Sequence, residues 1–303
     1  MDNASRTSLG ILLMVAFAAL APIMDTFAKL IGDALAVALV AASRFAIQAA
    51  ILFPIAVFMG WLHRPGAVEI GLHMLRATLL LVATAFFFFA LQFMPMADAI
   101  SIFFVEPFIL ILLGSFLLGE QIGPRRYIAC VIGFSGALLI IQPSFNEFGA
   151  IAMAPLCTAL MFALYLILTR RMVTRMHPIT LQAYTGFAAL VVAVPILWAF
   201  NGSGISQLDP SWPEMRELKF LIALGLIATL SHVCISFALS LAPASLLAPL
   251  QYLEIVSATL LGFYIFGDLP DTYTFFGIAL IVLSGLYVFF RERQLGRKER
   301  AEA

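Results

Sequence analysis

The chain has 303 residues, 63% hydrophobic and 11% charged, with a mean hydropathy of +1.04 and zero formal net charge. A soluble domain carries about a quarter charged residues, so the solvent for this surface is lipid. Zero net charge supplies no field to gather nucleic acid.

Backbone inside lipid must satisfy its own hydrogen bonds, so each long apolar run is expected to be a helix. Runs of about 20 residues predict ten spans, at 9–29, 35–61, 70–92, 97–118, 124–142, 149–169, 179–200, 219–241, 245–266 and 273–290. The fold class expected is all-α integral membrane. The first run is longer than a signal peptide core and lacks a convincing cleavage site, so it reads as a retained span. Breakers mark the connections: Arg64-Pro65-Gly66, Met94-Pro95-Met96, Gly123-Pro124-Arg125, Gln142-Pro143, His177-Pro178, Ala242-Pro243 and Gly267-Asp268-Leu269-Pro270. The longest connection, 201–218, is polar. A basic tail, 291–303, follows the last span.

Lys and Arg in the connections set the orientation. With the N-terminus in the cytoplasm, twelve basic residues fall on the cytoplasmic side (Arg6, Arg64, Arg125, Arg126, Arg170, Arg171, Arg175, Arg291, Arg293, Arg297, Lys298 and Arg300). The other side holds two, Arg216 and Lys219. Both termini are therefore expected in the cytoplasm, in a bacterial inner or plasma membrane. Cys130, Cys157 and Cys234 each sit in an apolar run without metal-ligand spacing and read as inert thiols.

The chain repeats itself. Adding 148 to Pro95, Glu106, Gly119 and Glu120 gives Pro243, Glu254, Gly267 and Asp268. Four matches at one offset, two of them intramembrane carboxylates, divide the chain into halves of five spans, 9–142 and 149–290. Five is odd, so the second half must cross in the opposite sense. That predicts an inverted repeat, with the substrate between the halves. Ala129, Gly133, Gly136 and Ala137 in span five, and Gly277, Ser284 and Gly285 in span ten, form small-residue ridges. Such ridges brace a bundle or make a homodimer contact.

Met94-Pro95-Met96-Ala97-Asp98-Ala99, Phe104-Val105-Glu106-Pro107 and Leu118-Gly119-Glu120 resemble motifs of the EamA domain of the drug/metabolite transporter superfamily. Ala242-Pro243-Ala244-Ser245, Leu253-Glu254 and Phe266-Gly267-Asp268 form a second copy, with Asp268 in place of the usual Glu. The resemblance covers nearly the whole chain. It implies a ten-helix transporter whose first four spans in each half line a central cavity. The superfamily carries amino acids, sugars, vitamins, nucleotide-like cofactors and drugs, so the resemblance leaves the substrate open.

Charge inside a bilayer needs a partner or a task. Glu106 and Glu254 sit near the centres of spans four and nine. They read either as cavity carboxylates for substrate or protons, or as structural acids. Gln251 and Ser257, one turn either side, make the Glu254 face the more polar of the two, and Tyr252 is a further candidate beside it. Pro107 predicts a kink beside Glu106. Asp25 and Lys29 stand four apart, as an ion pair would. Arg44 lies too deep to snorkel and is expected to find a carboxylate, Asp25 or Glu106, or to clamp an anionic group. Arg76, near the start of span three, is expected to snorkel. Gln92, Tyr165, Gln182, Tyr184 and His232 read first as interhelical hydrogen-bonding groups and second as ligands. Phe86-Phe87-Phe88-Phe89 circles a helix, so one or two rings can face a cavity and the rest face lipid.

No His-Glu-x-x-His, Walker loop or glycine-rich nucleotide fingerprint is present. The expectation is a secondary transporter of a small organic metabolite such as riboflavin, an amino acid or a nucleoside-like cofactor, and not an enzyme. It calls for no cofactor or metal. Its partners are the substrate, protons and the bilayer. The competing expectations are a membrane scaffold or sensor and, behind it, an intramembrane enzyme.

Overall fold

The computed structural model describes residues 3–118, 124–173, 175–242, 247, 250–284 and 286–287; over parts of the first turn, the end of α5 and much of α6 the description is of the backbone. The helices are α1 (Asn3–Ile31), α2 (Val37–Phe58), α3 (Ala67–Leu91), α4 (Met96–Phe103), α5 (Glu106–Leu118) and α6 (Pro124–Phe148). A 3-10 turn, Gly149–Ala152, leads into α7 (Met153–Val173), followed by α8 (Pro178–Ala199) and α9 (Met215–Leu241). Then come α10 (Leu253–Leu261), which runs into a π-helical turn (Gly262–Phe266), and α11 (Thr272–Ser284). Among the described residues there is no strand. Six helical stretches, Arg6–Ile31, Val37–Phe58, Ala67–Leu91, Phe145–Val173, Pro178–Ala199 and Met215–Leu241, are long and apolar enough to cross a membrane. With the hydropathy of the chain, they make this a multi-pass integral membrane protein.

Among the described residues the breakers act where their chemistry requires, with one exception. Pro95 caps α4, and Pro178 begins α8, where a missing N–H costs nothing. His177 caps α8 by accepting the Ile179 N–H on Nδ1 at 3.4 Å. Burial holds that imidazole below its ordinary pKa, which keeps Nδ1 free to accept. Pro143 does not end a helix. The α6 backbone runs on to Phe148, and Gly149, at φ +63°, makes the turn instead.

Helix α1 lies along α9, α3 along α7, and α2 along α8. Further contacts join α2 to α9, α3 to α8, α5 to α7 and α1 to α10. Close approach is built in by glycine. A Cβ at Gly186 of α8 would stand 3.0 Å from the Ala49 amide nitrogen of α2. A Cβ at Gly136 of α6 would stand 2.9 Å from the Gly277 carbonyl oxygen of α11. The small-residue ridge thus braces the last helix of one predicted half against the last helix of the other.

Two polar assemblies sit at opposite ends of the bundle. At the end bearing loops 59–66 and 175–177, Arg76 is fully buried. Its guanidinium donates to Thr169 Oγ1 (2.9 Å), the Leu181 carbonyl (3.3 Å), Thr185 Oγ1 and the Tyr165 hydroxyl (2.8 Å). This corrects the expectation that Arg76 snorkels. Four acceptors from α7 and α8 satisfy the cation in place, which removes the reason to reach for water. Gln182 extends the network to Ser236 Oγ (2.7 Å), and Gln48 donates to Gln182. Trp61 stacks on His177 with ring centroids 3.8 Å apart, and Tyr184 donates to the His63 carbonyl.

At the opposite end Lys29 pairs with Asp268 at 2.7 Å, not with Asp25. Gly267, at φ +75°, caps the π-helical turn by donating its N–H to Phe263 and swings Asp268 toward α1. Lys29 also donates to the Met94 carbonyl (3.4 Å) and lies 4.7 Å from the Phe266 ring centroid. Asp25 remains inside the bundle.

Candidate functional site

The central feature is a break in each of two helices. Between α4 and α5, Phe104 and Val105 leave the helix, and Glu106 opens α5. Pro107, second in the new helix, has no N–H to give the Phe103 carbonyl, so the α-helical ladder cannot pass this point. The other break comes before α10. Tyr252 is a turn, Leu253 starts the helix and Glu254 sits in its first turn. Both glutamates thus occupy helix N-termini, where negative charge is favoured.

A cavity lies at these breaks. Its walls come from α1 (Phe17, Ala21, Met24, Asp25), α2 (Arg44), α3 (Leu80, Ala83, Thr84, Phe87, Phe88), α7 (Thr158, Phe162) and α9 (His232). Phe103, Phe104, Glu106, Gln251 and Glu254 from the broken helices complete it. The space, including its mouth, is about 650 Å³, within the range of small-molecule sites. Its wall is mostly apolar, with six phenylalanines. Its polar inventory is unusual for a membrane interior: three carboxyl groups (Asp25, Glu106, Glu254), one guanidinium (Arg44), one imidazole (His232), one amide (Gln251) and two hydroxyls (Thr84, Thr158).

These polar groups are underused by the protein. Asp25, Arg44, Glu106, His232, Gln251 and Glu254 are all buried. Asp25 Oδ1, Glu106 Oε1, His232 Nδ1 and Arg44 Nε and Nη2 have no hydrogen-bond partner among the described residues. Arg44 does not form the expected ion pair. Its Nη1 donates to Thr84 Oγ1 at 2.8 Å, and no described carboxylate lies within ion-pairing distance. Buried polar atoms are nearly always satisfied, so such a cluster marks this cavity as the candidate binding site.

Of the residues singled out in the sequence, the cavity gathers Glu254, Glu106, Gln251, Arg44, Asp25 and His232. Phe87 and Phe88 line it, while Phe86 is exposed on the outer surface. Three candidates serve elsewhere. Tyr165 accepts from Arg76 and Gln182 in the end network. Gln92 donates to the Gly32 carbonyl at 2.6 Å. Tyr252 packs its ring on Phe104. Thr84 and Thr158 were missed, since a lone threonine in an apolar run carries no sequence signal. Glu120, Gly119, Gly285, Pro243 and the tail 291–303 lie outside the described residues, as does the Cys130 side chain. Cys157 and Cys234 are free thiols.

Known proteins agree with this architecture. A solved crystal structure 21% identical in sequence superposes with a TM-score of 0.66, over 97% of this chain and 99% of the other. Over 300 residues the chain is 25% identical to the S-adenosylmethionine uptake transporter of Rickettsia prowazekii, covering 97% of both. Over 230 residues it is 27% identical to the riboflavin transporter of Brucella anthropi, covering 75% of this chain and 79% of the relative. Over 199 residues it is 29% identical to the pseudopaline exporter CntI of Pseudomonas aeruginosa, covering 65% and 67%. The profile of the EamA-like transporter family matches residues 8–142 and again 148–290, two consecutive copies that together take in nearly every residue building the bundle and its cavity, and the chain belongs to the EamA-like transporters.

Proposed function

We propose that this protein is a secondary transporter that moves a small organic metabolite, bearing a flat ring and a positively charged group, across a bacterial plasma membrane by alternating access. The observation that carries the reading is the cavity at the two helix breaks. Six phenyl rings offer stacking and apolar cover, and three carboxyl groups outnumber one guanidinium. Positive charge from a ligand or from protons would balance that excess. S-adenosylmethionine, a sulfonium with a purine ring, has this character; riboflavin shares the flat ring.

The helix pairings support ten spans in two inverted halves. Take α1, α2, α3, α4–α5 and α6 as the first half, and α7 to α11 as the second. Exchanging the halves turns the α1–α9 pairing into α7–α3, α2–α9 into α8–α3, and α5–α7 into α10–α1, all of which occur. The α2–α8 pairing maps onto itself. A two-fold relation of this kind suits rocking of one bundle against the other around a fixed site. The Arg76 network and the Lys29–Asp268 pair then stand at opposite ends of the cavity, as two closures. Both termini and the Arg76 end face the cytoplasm in this reading, on the loop charges.

The experiment is uptake into liposomes holding only this protein. Radiolabelled S-adenosylmethionine and riboflavin should be tested singly and with excess unlabelled competitor. Saturable, competed flux is the expected result for at least one. Flux no greater than in protein-free liposomes, for a metabolite that raises the melting temperature of the protein, would favour a sensor over a carrier.

A further inference from the structure

The least explained group in the cavity wall is Arg44. A guanidinium has one edge formed by Nε–H and an Nη2–H, parallel and spaced for the two oxygens of a carboxylate. In Arg44 this is the edge with no partner, since Nε and Nη2 are both buried and unbonded among the described residues. The opposite corner is fixed, with Nη1 held by Thr84 Oγ1 at 2.8 Å. The Phe45 ring, its centroid 4.7 Å from the guanidinium carbon, flanks the group on one side. Thr84 and Phe45 thereby orient the plane, and no described residue occupies the fork.

The neighbouring side chains do not fill that role. Asp25 and Glu106 also line the cavity, yet neither pairs with Arg44, and each keeps one oxygen unbonded. A cation and two acids sharing a wall without joining leaves unpaired groups of both signs in that wall. Arg76 is the contrast within this molecule. It is equally buried, but all three of its guanidinium nitrogens donate to acceptors on α7 and α8. Arg76 is a finished structural cation; Arg44 is an unfinished one.

We infer that the Nε/Nη2 edge of Arg44 is a carboxylate subsite, and that the transported metabolite carries a carboxylate in addition to its ring and its positive charge. The inference rests on the transporter reading and deepens it. It places the α-amino-acid type of ligand ahead of the uncharged-ring type. Arg44 makes the contact, and Thr84 is a positioning residue that presents the fork. The two fork nitrogens are sealed from water in this conformation. They become available when the cavity walls move, which in a carrier is the transport step itself.

The test uses ligand pairs that differ only in the carboxylate, measured on the purified full-length protein by calorimetry and by competition of liposome uptake. S-adenosylmethionine is compared with decarboxylated S-adenosylmethionine, and L-tryptophan with tryptophanamide, with riboflavin as a ring that has no carboxylate. At least one acid should bind on the order of 100-fold more tightly than its partner, the scale of losing one bidentate charged contact. Arg44→Gln should erase that difference. Thr84→Val should lower acid affinity roughly tenfold, with Thr84→Ser restoring it, which a loss of packing alone would not produce. Equal binding of both members of every pair, or a gap that survives in Arg44→Gln, overturns the subsite. Riboflavin flux with no acid bound overturns the subsite and leaves the transporter reading standing. Absence of both binding and flux for every compound counts against both.

Discussion

Phe104 and Tyr252, 148 positions apart, pack their rings against each other with centroids 5.4 Å apart, each at the break in its own helix. The offset is the one that relates Glu106 to Glu254. Residues at equivalent positions of two repeats meet only near an axis that relates them, so this contact supports the two-fold reading. It also joins the two breaks through one aromatic contact. Both side chains are buried, and an aromatic pair is worth about 0.5–1.5 kcal/mol beyond its burial. Phe104→Ala should lower stability by about 3 kcal/mol through the cavity it leaves. A cycle of Phe104→Leu, Tyr252→Leu and the double variant, followed by melting temperature in detergent, should show coupling of about 1 kcal/mol. Strict additivity would mean the rings are independent.

The Phe104 break was legible because proline acts through its own backbone, and Pro107 stands in the sequence beside Glu106. Pro107→Ala restores the missing donor and should let the helix close across the break. The expected outcome is a protein at least as stable as the parent, with flux reduced several-fold, since an interior proline costs a helix about 3 kcal/mol. Unchanged flux with raised stability would make the break an accident of packing.

Other features were not legible, for a common reason. Lys29 and Asp268 are 239 positions apart, and Arg76 meets partners 89 to 109 positions away. Local rules offered Lys29 a partner four residues off in Asp25, and offered Arg76 a nearby membrane surface. Tertiary acceptors won in both cases, because burial makes a fully satisfied cation preferable to a strained reach. The intramembrane carboxylates were legible since charge in an apolar run is rare and visible. Which of their neighbours line the same cavity was not, because that depends on helix rotation.

The Lys29–Asp268 pair is partly exposed, so its contribution to stability should be modest, about 1 kcal/mol or less. Its larger effect should be on which end opens. Lys29→Gln and Asp268→Asn should each increase labelling of a cysteine placed in the cavity wall at Ala21 by a reagent added from the Lys29 side. The swap Lys29→Asp with Asp268→Lys should bring labelling back toward the parent level. Labelling indifferent to all three variants would leave the pair as a surface contact only.

Orientation is tested independently of transport. In a background lacking the three native cysteines, a probe at Ser206 should react with an impermeant reagent from outside intact cells. A probe at Arg175 should react only after the membrane is opened. Both positions are exposed in the structure. The reverse pattern would invert the protein and exchange the sides assigned to the two closures.

The final prediction separates the two central glutamates. Glu254→Gln keeps size and hydrogen-bonding capacity and removes charge and proton exchange. Glu254 lies within electrostatic reach of Asp25 and Glu106, and Gln251 stands one turn before it on the same wall. If this acid faces substrate or protons, Glu254→Gln should cut flux at least tenfold while the melting temperature changes little. Glu106 shares the cavity, but its position is tied to Pro107 and the break, so Glu106→Gln should reduce flux less. A structural acid behaves differently. Substituting one member of a buried charged set leaves the others uncompensated and costs about 3–5 kcal/mol, so flux and melting temperature would fall together. Measuring both on the same preparation distinguishes the cases. Normal flux in Glu254→Gln would shift the site toward Arg44, Asp25 and Gln251. That shift would itself be informative, because those three lie on different helices and only the folded cavity joins them.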